Sequence, residues 1–230
     1  MDTAIRARLD PVVADLQRIF GARLEAVVAY GRHSHEQAHS LALVSTLTLN
    51  DLTAMAAAAA RWHHAGAATP LVLPRDEFAQ SLDAFPIEYG EIIDTHVVLV
   101  GTDPFAGIGI DARDLRRAIE AQAASHLLHL RENYIEDAGR PSDIDALVRR
   151  SAPGFALLLR RMARLDGAPS ESVADLSHWA ATRPGLDPRV VGDVLALATE
   201  PAPGVDAVRL FPEYLATMDT LLRTIDQWPD

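Results

Sequence analysis

The apolar pattern changes character near residue 111, and no other feature constrains the fold of this chain as tightly. Before that point helical and extended segments alternate; beyond it helical spacing runs almost to the end. Ile5, Leu9, Val12, Val13, Leu16 and Ile19 recur at helical spacing, with Gly21 placed as a C-terminal cap. Residues 24–30 form a short apolar run that reads as a strand, 31–40 a polar loop, and 41–49 a second strand rich in Leu, Val and Thr. Asn50 or Asp51 is placed to cap an Ala-rich helix to about residue 65. A third strand follows over 70–73, then helical pieces broken at Pro86, then a fourth strand over 96–100. This order describes a layered α/β unit over 1–111. Over 112–230 the spacing predicts five or six helices: one with the stripe Leu115, Ile119, Ala123, Leu127, Leu130 and Tyr134, one over 142–150 separated or kinked at Pro153 from 155–165, and others over 173–181, 187–198 and 212–227. Helices joined by short turns make an all-α bundle.

Composition narrows the chemistry. The chain of 230 residues has no cysteine and no lysine, and its 21 arginines against 32 acids leave a net charge of −11. Thiolate metal sites, iron–sulfur clusters and cysteine nucleophiles are thereby excluded, and any metal must be held by His, Asp or Glu. Such an acidic surface repels phosphate backbones and anionic lipid, so neither nonspecific nucleic-acid binding nor membrane-surface binding is expected. Acids and arginines interrupt the first twenty residues, which therefore do not read as a targeting segment, and no run of 18 apolar residues occurs. The expectation is a cytoplasmic protein.

Two stretches carry a family likeness. The first is Val27-Val28-Ala29-Tyr30-Gly31-Arg32. The second runs from Pro86-Ile87-Glu88-Tyr89 through His96-Val97-Val98-Leu99-Val100-Gly101 to Asp103-Pro104-Phe105. Together they resemble the polymerase-beta-type nucleotidyltransferase superfamily, and in particular small bacterial members that join such a domain to a helical bundle. The resemblance implies a small mixed-sheet nucleotidyltransferase-like domain over 1–111 and a helical bundle domain over 112–230. In that family a strand ends in hydrophobic-Gly-Ser, a loop follows, and a second strand opens with Asp-x-Asp. Those acids and a third carboxylate on a later strand hold Mg²⁺, a hard ion that prefers oxygen ligands.

Overlaying Ser40-Leu41-Ala42-Leu43-Val44 on the Asp-x-Asp strand places Ser40 and Ala42 at the two metal-ligand positions. The third falls near Leu71-Val72-Leu73, and Arg32 stands where the turn serine would. The resemblance thus implies a nucleotide site at Gly31, Arg32 and Ser40, degenerate metal-ligand positions at Ser40 and Ala42, no catalytic residue and no metal. A non-catalytic nucleotide-binding or regulatory interaction module follows, with no cofactor beyond a nucleotide. One alternative is an active nucleotidyltransferase that recruits Mg²⁺ through Glu36, Glu88 or Glu91. Another is a scaffold that meets a protein partner, or a second copy of itself, through the helical domain. Taken without the likeness, the first part is simply a Rossmann-like α/β layer.

Other signals compete. Ser142-Asp143-Ile144-Asp145 spells the missing acid motif, but Ala-Leu-Val-Arg-Arg follows it, so Ser142 reads as a helix cap with acids in the first turn. His33, His35, Glu36 and His39 alternate along one loop, a weak geometry for a transition metal. His63 and His64 are adjacent and point apart on a helix. His126 and His129 share a helix face without an arginine at the spacing a helical nuclease centre would need, and read as histidines at a domain seam. Neither a Walker A motif, a nucleophile elbow nor His-Glu-x-x-His occurs.

Overall fold

Two adjacent, largely apolar strands organise the first half of the molecule. The computed structural model describes residues 3–31, 37–170, 172–199, 202 and 204–226. These gather into two compact units, Met1–Asp111 and Ala112–Asp230.

In the first unit, helix α1 (Thr3–Phe20) leads through a 3₁₀ turn, Gly21–Arg23, into β1 (Leu24–Tyr30). Next come β2 (His39–Val44), α2 (Leu49–His64), β3 (Leu71–Pro74), α3 (Arg75–Gln80), α4 (Pro86–Thr95) and β4 (Val97–Gly101). The sheet order is β3-β2-β1-β4. β1 runs antiparallel to both β2 and β4, while β2 and β3 are parallel, so the sheet is mixed. Successive strand residues point to opposite faces. Val27, Ala29, Ala42 and Val44 pack with Leu9, Val12 and Leu16 of α1 and Met55 and Trp62 of α2. Val28, Leu41 and Leu43 pack on the other face with Phe78, Tyr89, Ile92 and Phe105. Burial on both faces explains why β1 and β2 are nearly continuous apolar runs.

Two polar clamps fix the α1–α2 layer. Asp15 is 5% exposed; its carboxylate accepts from Trp62 Nε1 at 2.9 Å and from Arg18 at 3.0 Å, and pairs with Arg61. Burial alone would raise this carboxyl, yet the hydrogen bonds from Arg61, Trp62 and Arg18 hold it below its usual range. Arg23 grips Asp51 with both terminal nitrogens, at 2.7 and 2.8 Å. The hydrogen bond from Arg23, with those of Thr48, depresses the Asp51 carboxyl strongly.

Several element ends differ from the sequence expectation. β2 stops at Val44, and α2 starts at Leu49, capped by Thr48 and not by Asn50 or Asp51. The reason is a capping box: Thr48 Oγ1 accepts from the Asp51 amide, and the Asp51 carboxylate accepts from the Thr48 amide. Pro86 opens α4 in its first turn, where its missing N–H costs nothing, and the helix runs on to Thr95.

The second unit holds α5 (Ala112–Glu136), α6 (Pro141–Leu165), α7 (Val173–Ala181), α8 (Pro188–Thr199) and α9 (Ala207–Asp226). α5 buries Leu115, Ile119, Ala123, Leu127 and Leu130 along one stripe. α6 continues unbroken past Pro153, because the apolar stripe on either side, Leu147, Val148 and Ala152 before and Phe155, Leu159 and Met162 after, is buried. Its N-cap is Arg140 with Pro141 in the first turn, so Ser142 lies inside the helix and is not the cap. α9 begins ahead of Pro212, where the Asp206 carboxylate accepts from the Arg209 amide at 3.1 Å. No helix among the described residues is long and apolar enough to cross a membrane.

Candidate functional site

β1 delivers the chain to a turn at Gly31, which has φ +73°, a left-handed conformation that glycine adopts freely. A Cβ there would meet no atom of the described residues within 4 Å. The Gly31 amide donates to Thr95 Oγ1 at 3.1 Å, and Thr95 donates in turn to the Glu91 carbonyl at 2.7 Å. Thr95 is 1% exposed at the end of α4 and ties the turn to that helix. The sequence reading missed Thr95; a hydroxyl residue between a helix and an edge strand was the available signal. Arg32, His33, His35 and Glu36 lie outside the described residues.

The register places the positions singled out by the sequence overlay in one patch. Ser40 lies opposite Ala29, Ala42 opposite Val27, and Val72 of β3 lies beside Ala42. Alternation puts Ser40 and Ala42 on the same side of β2, the side on which Ala42 meets α1 and α2, and Val72 packs against that same cluster. Ser40 is 1% exposed and Ala42 fully buried. Ser40 Oγ has no hydrogen-bond partner among the described residues. The three positions therefore converge, but they present one hydroxyl and two apolar groups to the interior of their own unit.

This donor set does not fit magnesium. A hard dication needs carboxylate or carbonyl oxygens, and among the described residues no three His, Asp or Glu side chains come together in a way that could hold a metal. Glu88 is exposed on α4, and Glu91 is half-buried one turn before Thr95. Asp143 and Asp145 sit in the first turns of α6, where Asp143 pairs with Arg140 and Asp145 with Arg149.

Around the strand ends the groups are desolvated. The Tyr30 and His39 rings lie 5.7 Å apart. Burial raises the Tyr30 phenol and lowers the His39 imidazole, so His39 is neutral at pH 7. The stretch that closes the sheet is held by His96, whose Nδ1 bonds the Ile93 carbonyl at 2.7 Å and whose Nε2 bonds Asp103 at 3.1 Å. Asp103 also accepts from the Phe105 amide at 2.9 Å. In the helical unit His126 is engaged inside its own unit, with Nε2 2.6 Å from the Tyr214 hydroxyl of α9, while His129 is exposed beside Glu132.

Neither a protein-family model nor a curated protein sequence matches this chain. Among solved structures it is similar to a spectinomycin adenyltransferase from Enterococcus faecialis, crystallised with ATP and spectinomycin. The TM-score is 0.58 at 12% identity, covering 94% of this chain and 98% of that one. At that identity the likeness is one of fold: a nucleotidyltransferase-like mixed sheet followed by a helical bundle.

Proposed function

We propose that this protein keeps a nucleotidyltransferase-like fold and works as a non-catalytic binding or regulatory module, without metal-dependent nucleotidyl transfer. The observation that carries the reading is the convergence of Ser40, Ala42 and Val72 where the family likeness places metal-binding carboxylates. Metal-borne stabilisation of the transferring phosphoryl group contributes several kcal/mol, and each ~1.4 kcal/mol lost is about tenfold in rate. Glu88 and Glu91 both stand on α4, and among the described residues no three His, Asp or Glu side chains come together in a way that could hold a metal.

The left-handed glycine at position 31, with no described atom within 4 Å of a Cβ built there, favours a ligand that approaches the backbone closely. A nucleotide is the proposed ligand, since the neighbouring Arg32 supplies the positive charge that a metal would otherwise bring. The Gly31 amide is committed to Thr95, so the phosphates are to be met by Arg32 and not by that N–H. Calorimetric titration with ATP and GTP, with and without Mg²⁺, tests this. Binding that is no tighter with Mg²⁺ and is lost in Arg32→Ala is expected. Absence of heat with either nucleotide removes the nucleotide from the proposal, and binding that requires Mg²⁺ overturns the metal-free reading.

A further inference from the structure

The groove between α5 and α6 holds a cavity of about 230 Å³ whose lining is unusual for two packed helices. Facing helix stripes normally interlock through apolar side chains. Here the lining includes Gln122, Ser125, His126, Asn133, Arg150 and Ser151, with no aspartate or glutamate among the lining residues. In a chain of net charge −11, a polar cavity with a cation and without an acid is a local reversal of sign.

Its groups are also available. The Arg150 guanidinium is exposed and makes no ion pair or hydrogen bond among the described residues, whereas its neighbour Arg149 is held by Asp145 at 2.9 Å. His126 uses only Nε2, on Tyr214, and its Nδ1 looks toward Gly154 of α6. A Cβ at position 154 would stand 3.5 Å from that nitrogen, an ordinary contact that would cover it. A glycine inside a helix costs about 1 kcal/mol relative to alanine, and here its absence of side chain leaves the imidazole facing the cavity. On its far side Tyr214 is fully buried, with its hydroxyl 2.6 Å from His126 Nε2, so the ring is held in place from behind.

We propose that this α5–α6 groove binds a small oxyanion-bearing molecule, with Arg150 as its charge partner and His126 Nδ1–H, Ser125 and the second amide N–H of Asn133, whose first is on the His129 carbonyl at 2.7 Å, as neutral donors. Tyr214 then donates to His126 Nε2, which leaves the imidazole proton on Nδ1 and aimed at the ligand. An arginine paired with flat or tetrahedral oxyanions gives short, charge-assisted bonds, and the amides and hydroxyls around it suit the ligand's remaining polar groups. The site lies wholly in the helical unit and does not rest on the nucleotide reading of the sheet unit.

The test is a titration of the full-length, ¹⁵N-histidine-labelled protein with inorganic phosphate, ribose 5-phosphate and citrate, followed by NMR. Saturable shifts of the His126 ring signals are expected, with long-range ¹H–¹⁵N correlations reporting the Nδ1–H tautomer in the bound state. Response to the phosphates but not citrate assigns a phosphoester ligand, and the converse a carboxylate. Arg150→Ala should weaken binding about tenfold or more, since it removes a charge-assisted pair, while Arg149→Ala leaves it unchanged. Gly154→Ala, which the fold accommodates, should also weaken it, with far-UV circular dichroism verifying an intact helix. No saturable shift with any probe, binding indifferent to both Arg150→Ala and Gly154→Ala, or an Nε2–H tautomer in the bound state each overturns the proposal.

Discussion

At the scale of single residues, Ser40 and Ala42, which the sequence overlay sets on an acid motif, are interior. Ala42 is fully buried among apolar neighbours, so Ala42→Asp places a carboxylate where nothing described can pair with it. An unpaired buried charge costs about 3–5 kcal/mol, and urea denaturation should register a loss of that order. Ser40 gives the opposite sign. Its hydroxyl is buried without a partner among the described residues, so Ser40→Ala should stabilise the protein by about 1 kcal/mol in the same assay. A destabilisation by Ser40→Ala would show that the hydroxyl is bonded after all. His126 makes the prediction that depends on pH. Burial, with a smaller contribution from His129, lowers it from 6.5 to about 4. The unfolded chain therefore binds a proton that the folded one refuses between those values, and stability must fall as pH drops from about 6.5 to 4 and then level off. The fall attributable to this residue is up to about 3 kcal/mol, and His126→Gln should flatten the curve in that window.

Element by element, the helices and strands were largely legible because their apolar periods are clean. Ile5 through Ile19 announce α1, and the unbroken run in β1 reflects burial on both faces. What could not be read was decided by side chains reaching to distant partners or by local contests over caps. Thr48 won the start of α2 because Asp51 completes a capping box and is then gripped by Arg23, 28 residues away in sequence. Pro153 failed to break α6 because burial on both sides outweighed one missing hydrogen bond. The bond from Gly31 to Thr95 spans 64 residues, a separation at which no local pattern signals a contact. The edge strand carries its own test. Gly101 has φ +80°, and a Cβ there would collide with the Glu25 carbonyl of β1. Gly101→Ala must therefore distort the β1–β4 ladder, and a loss of about 2 kcal/mol or more in denaturation is expected. Gly31→Ala, where no described atom lies within 4 Å of the added Cβ, should cost less, about 1–2 kcal/mol from backbone strain alone.

For the molecule as a whole, architecture and chemistry part company. The fold class was visible in the change of pattern near residue 111, and the match of 94% of the chain to a solved nucleotidyltransferase fold agrees with it. The candidate site was legible in the sequence only through the overlay of Ser40, Ala42 and the Leu71–Leu73 stretch on an acid motif, and the strand register then shows Ala42 beside Val72. The polar groove of the helical unit was not legible: His126 was visible, but Arg150, Gly154 and Tyr214 come from other helices and only packing brings them together. The most direct test of the central claim is a transfer assay on the full-length protein with radiolabelled ATP and GTP across a Mg²⁺ and Mn²⁺ series, following both labelled product and pyrophosphate. The account predicts no turnover above the protein-free control under any metal; metal-dependent turnover that Glu36→Ala, Glu88→Ala or Glu91→Ala abolishes would contradict it.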